Sequence, residues 1–523
     1  MINFLKRCWQ RRWIRGMAWT GVTLVTLCVL FYAYANWSGA REWSATQAML
    51  KANGETLDFR AILNDPIPEE ENFCAIPPLK NLAFPGDNDD ESAQNRQRLE
   101  ALKLPQLKSP RPKFGFANGE LTDFKIWAEA FRNDGLLPAS ADSGNPANDV
   151  LQALSIHDAL VVELTAGLSR PGAQWTPEWK SREWSGNLFS VEFPHLSSIL
   201  TASRFLGLRS IAAARAGEAA QAHREALLIA RFSQACLNDP FLIGTFVGAL
   251  SAQILCDTTW ELCDAHVGTV EDFARLETAL TGLDFQRSTL RSFRAEMAAG
   301  GQTAEFMKRN RNAAFGLFAL LNSASENSVN KFPGFFEKLL CYVMPSGWFD
   351  SSASVLVDSE FNYFVKPLRY HGFMAARESA KEANIQIGKM GENIWSHPSY
   401  IVPAIAIPAL EGAISKMIYA DVIRNQSVIA CALERYRIEK GTYPDSLDAV
   451  KLANGKPLPL DIIRGKPMNY RKNSDGTYAL WSVGLDSKDD GGKRGVMDSK
   501  DPSKSRPTDE NYLGDWVWDL TAK

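Results

Sequence analysis

The sequence has few histidines and lacks the short motifs that mark common hydrolases and nucleotide-binding enzymes. It contains no His-Glu-x-x-His zinc motif, no Gly-x-Ser-x-Gly nucleophile turn and no glycine-rich phosphate loop. The six histidines are scattered, and two of them have nearby carboxylates, in His157-Asp158 and in His223-Arg-Glu225. Such close neighbours on a helix point to different faces. The sequence therefore favours a protein without catalytic chemistry.

The chain also has a small net charge and few cysteines. The formal net charge is −3 with 22% charged residues, which provides no basic field for nucleic acid. Of the eight cysteines, six lie beyond the N-terminal region: Cys74, Cys236, Cys256, Cys263, Cys341 and Cys431. They are too sparse for a disulfide framework in a chain of 523 residues. Disulfides and buried free thiols both remain open.

No acidic residue occurs before Glu42, and this absence coincides with a membrane signal. Five basic residues, Lys6, Arg7, Arg11, Arg12 and Arg15, precede an apolar run from Met17 to about Ala35. We therefore predict a cytoplasmic tail at 1–16 and a transmembrane anchor at 17–36, with the remainder in the periplasm of a bacterial inner membrane. The alternative is a signal peptide cleaved after Ala33-Tyr34-Ala35.

Composition divides the remaining chain into three regions. Residues 37–145 are rich in proline and clustered charge, which predicts irregular structure with one short helix at Leu121–Arg132. Helical periodicity over 146–410 predicts a helical bundle, and an alanine-rich hairpin near 212–228 resembles a tetratricopeptide unit. Residues 411–523 predict an α+β module, so the expected fold class is mainly α.

A long helix should lead into this module. Ile414, Ile418, Val422, Ile429 and Leu433 form one stripe within a predicted helix over 409–440. Gly441 should end the helix in a left-handed conformation. Pro403 and Pro408 interrupt the preceding run 401–410, which we interpret as a buried connector and not a second membrane span.

Acidic residues crowd the loop after the strand-like segment 478–484. Asp486, Asp489 and Asp490 precede Gly491-Gly492, and Asp515 lies further along the same tail. Clustered carboxylates in a tightly turned loop suit calcium, which prefers oxygen ligands. Lys488 occupies a position where an EF-hand needs a ligand. The alternatives are a structural calcium site and a solvated surface turn.

The order of these features resembles the globular half of the major pseudopilins of type II secretion. It comprises a long helix, Gly441-Thr-Tyr-Pro444, a Gly465-Lys-Pro467 turn, a short sheet, the acidic loop and a closing Asp515-Trp516. The resemblance implies calcium binding by Asp486 and one of Asp489 or Asp490. The predicted anchor lies far upstream of this module, so we do not expect this protein to be a filament subunit. The whole chain also resembles large membrane-anchored envelope proteins of Planctomycetes and Verrucomicrobia, which implies no activity.

Two further patterns in the sequence suggest a zinc site and a cell-wall-binding site. Cys256, Cys263 and His266 share one helical face and could approach a zinc ion, whereas the alternative is a core-facing stripe. Trp175, Trp179 and Trp184 would bind cell wall if they were exposed, or pack over the bundle.

The leading hypothesis is a non-catalytic scaffold or interaction protein anchored in the envelope, with protein partners and no nucleic acid. Its acidic loop would be stabilised by calcium. The rival is an extracytoplasmic hydrolase, which predicts a pocket with converging acids or histidines within 146–410. Glu163, Glu225 and Glu296 are helical acids in that region without an identified partner.

Overall fold

The structure, a computed structural model, describes residues 12–83, 90–108, 115–138, 143–175, 192–312, 342–391, 399, 401–497 and 512–520. It is mainly helical with a small antiparallel sheet near the C-terminus, as predicted. The first helices are α1 (Arg12–Ala52), α2 (Phe59–Ile62), α3 (Asp90–Glu100), α4 (Phe124–Asn133), α5 (Pro146–Leu154), α6 (Asp158–Ala166) and α7 (Pro194–Ala216). The later helices are α8 (Ala219–Leu237), α9 (Leu242–Ala265), α10 (Val270–Thr281), α11 (Phe285–Arg309), α12 (Ser346–Glu360), α13 (Lys366–Gly391) and α14 (Ile401–Lys440).

Shorter elements complete the described chain. A π-helical segment, Phe361–Val365, joins α12 to α13. The 3-10 turns are Glu69–Glu71, Phe73–Ala75, Ser155–His157, Gly167–Ser169 and Leu447–Ala449. The strands are β1 (Leu460–Asp461), β2 (Lys466–Pro467), β3 (Asn469–Lys472), β4 (Tyr478–Ser482), β5 (Val496–Met497), β6 (Tyr512–Leu513) and β7 (Trp516–Asp519).

Helix α1 extends well beyond the predicted anchor. Its 41 residues span roughly 60 Å at 1.5 Å per residue. No residue of the apolar window is buried, whereas Ala35, Trp43 and Leu50 are buried against the remainder of the protein. The helix ends at Ala52, and Gly54 follows with a φ of 72°, which suits a left-handed turn. The region 37–145 is therefore less irregular than predicted, because α1 continues to Ala52 and α2, α3 and α4 follow.

Among the residues that the structure describes, three helices are long and apolar enough to cross a membrane. They are the N-terminal helix from Arg15 to Ala52, the segment Pro146–Ser169 and α9. The apolar window of α9 is mostly buried inside the protein, beneath α7, α8 and α14. The N-terminal helix differs from the other two because none of its apolar window is buried.

The centre of the helical body is a hairpin of α7 and α8 packed on α9. Gly217 ends α7 with a φ of 86°, which places the hairpin turn where the alanine-rich pattern predicted it. Asp239 and Pro240 separate α8 from α9. The tetratricopeptide resemblance of this hairpin stays a prediction.

Helix α14 corrects the interpretation of residues 401–410 as a connector. The helix begins at Ile401 and continues through Pro408 to Lys440. Pro403 is tolerated because the first N–H groups of a helix lack intrahelical partners. Gly441 ends the helix with a φ of 78°, as predicted. The boundary proposed at 410/411 lies inside α14, and one hydrophobic core continues across it.

The C-terminal sheet packs on both α14 and α9. Its central strand β4 pairs antiparallel with β3 and β7, while β1–β2 and β5–β6 form separate two-stranded pairs. Trp260 of α9 donates its indole N–H to the carbonyl of Asp519 at 2.7 Å. Gln426 of α14 donates to the carbonyl of Trp516 at 2.7 Å. These contacts join the sheet to the helical body.

The contact between α1 and α12 depends on two glycines. A methyl group on Gly39 would overlap backbone atoms of Gly347, and one on Gly347 would overlap backbone atoms at Ala35 and Asn36. The Gly347 N–H also donates to the Asn36 side chain at 2.8 Å. The two helices therefore touch backbone to backbone.

We expect Gly347→Ala to lower the melting temperature of the full-length protein in detergent. Overpacking of this kind costs about 1–3 kcal/mol because the backbones must separate. The matched control is Gly412→Ala in α14, which is exposed and has nothing within 4 Å of the added methyl. That variant should melt at the same or a slightly higher temperature. Equal melting of Gly347→Ala and the wild type would contradict the close contact.

Candidate functional site

The acidic loop after β4 reverses through residues with positive φ angles. Gly484 and Ser487 have φ of 68° and 59°, and the adjacent Gly491 and Gly492 have φ of 74° and 78°. Two successive left-handed residues are readily accessible only to glycine. They let the chain curl so that two backbone N–H groups of the loop face the same carboxylate.

That carboxylate belongs to Asp515, which lies between β6 and β7 and is fully buried. Its Oδ2 accepts the N–H of Asp490 at 3.1 Å and the N–H of Gly492 at 2.7 Å. Its Oδ1 is buried and has no hydrogen-bond partner within the described residues. A buried acceptor without a partner is costly, so Oδ1 is the atom at which a cation would stabilise the loop most.

Electrostatics at Asp515 agree with this geometry. Burial raises the pKa of Asp515 above its ordinary value, and the N–H groups of Gly492 and Asp490 oppose that rise. The negative charges of Asp489 and Asp490 raise the pKa of Asp515 further. The fold therefore favours either a protonated Asp515 or a nearby positive charge.

Asp489 holds the loop against the sheet. Its Oδ1 accepts the indole N–H of Trp481 at 3.0 Å and the N–H of Gly491 at 3.0 Å. Its Oδ2 accepts the amide of Asn469 at 3.1 Å. The hydrogen bond from Trp481 lowers the pKa of Asp489 below its ordinary value. Asp489 is thus ionised and well supplied with donors from the protein itself.

The four predicted calcium residues are only partly brought together. Asp489 and Asp490 lie near Asp515, whereas the Asp486 carboxylate accepts the N–H of Lys488 at 3.1 Å. Over the residues that the structure describes, no group of three or more His, Cys, Asp or Glu side chains is arranged to hold a metal ion. The Asp490 carboxylate is exposed, and Asp515 Oδ1 is the buried oxygen of this loop that has no hydrogen-bond partner among the described residues.

The predicted zinc face on α9 is part of the core. Cys256 and Cys263 are fully buried free thiols, and burial raises the pKa of Cys256 to about 12. His266 ends α9 in a left-handed conformation, with its Nδ1 3.5 Å from Glu434 of α14. Zinc binds thiolates, so this protonated and buried pair fits packing better. Cys236 and Cys431 are likewise buried free thiols, Cys74 is buried as well, and Cys341 lies outside the described residues.

The acids and histidines of the rival hypothesis serve structural contacts. Glu163 pairs with Arg98 at 2.5 Å, and Glu296 accepts the N–H of Leu242 at 3.1 Å. His223 lies 2.9 Å from the Val267 carbonyl, and burial lowers its pKa. Glu225 pairs with Arg209 at 3.2 Å, and burial raises its pKa to about 7. Each of these groups bridges two elements of the fold.

One of the three tryptophans predicted to bind cell wall if exposed is buried in the structure. Trp175 is fully buried and packs on His195, with ring centroids 5.3 Å apart. An exposed aromatic platform therefore does not include Trp175. Trp179 and Trp184 lie outside the described residues.

A cavity of about 330 Å³ beside α9 contains acids that the sequence analysis missed. Asp257 and Glu261 line it, one helical turn apart. Burial raises the pKa of Asp257 to about 7, an effect that the Phe116 N–H opposes and the Glu261 charge reinforces. The sequence signal was Asp257, Glu261 and Asp264 at helical spacing within an otherwise apolar helix.

Comparison with family models, curated proteins and solved structures gives no match for this chain.

We expect Asp515→Asn to raise the melting temperature of the full-length protein at neutral pH in the presence of a chelator. The folded state raises the pKa of Asp515, so burying its charged form destabilises the protein above that pKa. Asparagine keeps an acceptor for the two N–H groups and carries no charge.

Thermal unfolding at falling pH provides the internal control. Protonation makes the wild-type carboxyl neutral, so the difference between the two proteins should shrink as pH falls through the folded pKa of Asp515. A variant less stable than the wild type at neutral pH would contradict the assignment.

Proposed function

We propose that this protein is a membrane-anchored envelope protein whose extracytoplasmic part binds and positions other proteins and does not catalyse a reaction. The observation that carries this proposal is the course of α1. None of its apolar window is buried, whereas from Ala35 onward one face of the helix is buried, with Ala35, Trp43 and Leu50 in contact with the body. An exposed apolar stretch of that length is unfavourable in water and suits the hydrocarbon core of a bilayer.

Continuity of α1 supports a positioning role. The same helix carries the apolar window and the residues that pack on α12, with Trp43 and Leu50 in the core. A helix anchored at both ends transmits the position of the bilayer to the body. The helical body is therefore held at a defined height above the membrane.

The orientation follows from the charges that flank the window. The basic residues from Lys6 to Arg15 place the N-terminus in the cytoplasm, and the body then lies in the periplasm of a bacterial inner membrane. The resemblance of the C-terminal region to secretion pseudopilins supports an envelope partner, and a fold resemblance alone does not identify that partner.

Calcium has a structural role in this proposal. The ion binds at Asp515 Oδ1 with Asp490, satisfies the buried acceptor and neutralises the carboxylates around it. It thereby fixes the loop 484–492 against the sheet, where Asp489 already accepts the indole N–H of Trp481.

A periplasmic hydrolase is the second candidate. The observation that favours it is the cavity beside α9, where Asp257 and Glu261 converge within the predicted region 146–410. A hydrolytic site would need a water held beside one of these carboxylates.

Replacing Val25 and Leu27 with arginine should remove the protein from the membrane. Each arginine at the centre of a spanning helix costs about 2.5–3.5 kcal/mol in insertion. Flotation of membranes on a density gradient measures the result and separates bound protein from aggregates.

The matched control is Ser44→Arg with Ala48→Arg, on exposed positions of the same helix beyond the apolar run. This variant should float with the membranes as the wild type does. Flotation of the Val25→Arg, Leu27→Arg variant to the same extent would exclude α1 as the anchor.

Calcium should raise the melting temperature of the full-length protein relative to chelator. A ligand at one hundred times its dissociation constant stabilises by ~2.7 kcal/mol. Asp515→Asn should abolish the shift, while the exposed Asp475→Asn should retain it. A calcium shift that survives Asp515→Asn would place the ion elsewhere.

A further inference from the structure

The cavity beside α9 is walled by apolar side chains on most sides. The apolar part of its wall consists of Leu104, Trp127, Leu208, Ile211 and Ile254. These residues come from α4, α7, α9 and the segment that follows α3. A space of about 330 Å³ lies in the range of small-molecule sites. The wall therefore suits a compact apolar group.

The polar end of the cavity is Asp257. Its Oδ1 accepts the N–H of Phe116 at 3.3 Å. Its Oδ2 accepts no hydrogen bond from the described residues. Thr258, whose hydroxyl donates to the Ile254 carbonyl at 2.8 Å, lines the same space. The cavity thus offers acceptor oxygens at one end of an apolar chamber.

A close backbone approach builds this end of the cavity. Gly115 has a φ of 112°, and a methyl group there would lie 2.6 Å from Asp257 Oδ1. Its N–H donates to the Glu120 carbonyl at 2.8 Å, which closes the turn 115–120. Only glycine lets this turn lie against the Asp257 carboxylate.

The charge around Asp257 is predominantly negative. Glu261 accepts the N–H of Thr122 at 2.7 Å and the guanidinium of Arg215 at 2.8 Å. Arg215 also bonds Asp264 at 2.9 Å, so one guanidinium serves two carboxylates. Within the described residues, Arg215 forms its ion pairs with Glu261 and Asp264 and not with Asp257. Arg204 lines the exposed side of the cavity.

We propose that this cavity binds a small molecule with an apolar body and a protonated primary amine, the amine lying on Asp257. The apolar wall takes the body of the ligand, and Asp257 Oδ2 with the Thr258 hydroxyl accepts the N–H groups. An anionic ligand would face the carboxylates of Asp257 and Glu261. A neutral ligand would leave the Asp257 charge without a counter-ion in a largely apolar chamber.

Three probes of similar size and different charge test the proposal. They are 2-phenylethylamine, 3-phenylpropionate and 2-phenylethanol, titrated calorimetrically into the full-length protein in lipid nanodiscs. Nanodiscs avoid detergent, which could fill an apolar cavity. We expect the amine to bind at least about ten-fold more tightly than either other probe, since a hydrogen bond to a charged group discriminates by that much.

Two variants locate the binding. Asp257→Asn keeps an acceptor for Phe116 and should remove the preference for the amine. Trp127→Ala removes part of the apolar wall and should weaken the amine without changing its preference over the alcohol. The matched control is Asp445→Asn, an exposed acid outside the cavity, which should bind as the wild type does. Melting curves confirm that each variant is folded.

The proposal is overturned by any of three results. The first is absence of amine binding to the folded wild type at the solubility limit. The second is equal affinity for the amine and the alcohol. The third is an unchanged preference for the amine in Asp257→Asn.

Discussion

Burial of α14 on both sides is the constraint on which the rest of the structure depends. One side of this helix packs on α9, α10 and α13, and the other carries Tyr419 and Gln426 to the C-terminal sheet. A helix that is apolar around most of its circumference is stable only when it is enclosed. The helical body covers one side of α14, and the C-terminal sheet covers the other side. They share one hydrophobic core.

The turn 115–120 provides a second connection between the two parts. Phe116 stacks on Trp518 with ring centroids 5.3 Å apart, and its carbonyl accepts the guanidinium of Arg494 at 2.9 Å. Arg494 also pairs with Asp519 of β7. The Phe116 N–H reaches Asp257 in the cavity. The acidic loop, the sheet edge and the cavity are therefore joined through two residues, Phe116 and Arg494, far apart in sequence.

Helix ends and buried stripes were predictable because they follow from local rules. Gly217 and Gly441 end their helices in the left-handed conformation that glycine adopts easily, and the stripe from Ile414 to Leu433 is buried. The extent of α14 was not predictable in the same way. Pro408 favours a helix break locally, yet packing on α13 keeps the helix continuous. Helix α1 likewise continues past residue 36 because α12 covers its far end.

The sequence by itself determined where apolar and acidic residues are concentrated: the N-terminal window, the stripe of α14 and the loop around Asp486 to Gly492. Residue spacing is local information, and these features follow from spacing. Only the tertiary structure decided how the acids are used. It buries Asp515, directs Asp489 to Trp481 and places Gly115 against the carboxylate of Asp257. Hydrogen bonding and desolvation depend on which distant segments meet, and that is settled only when the chain folds.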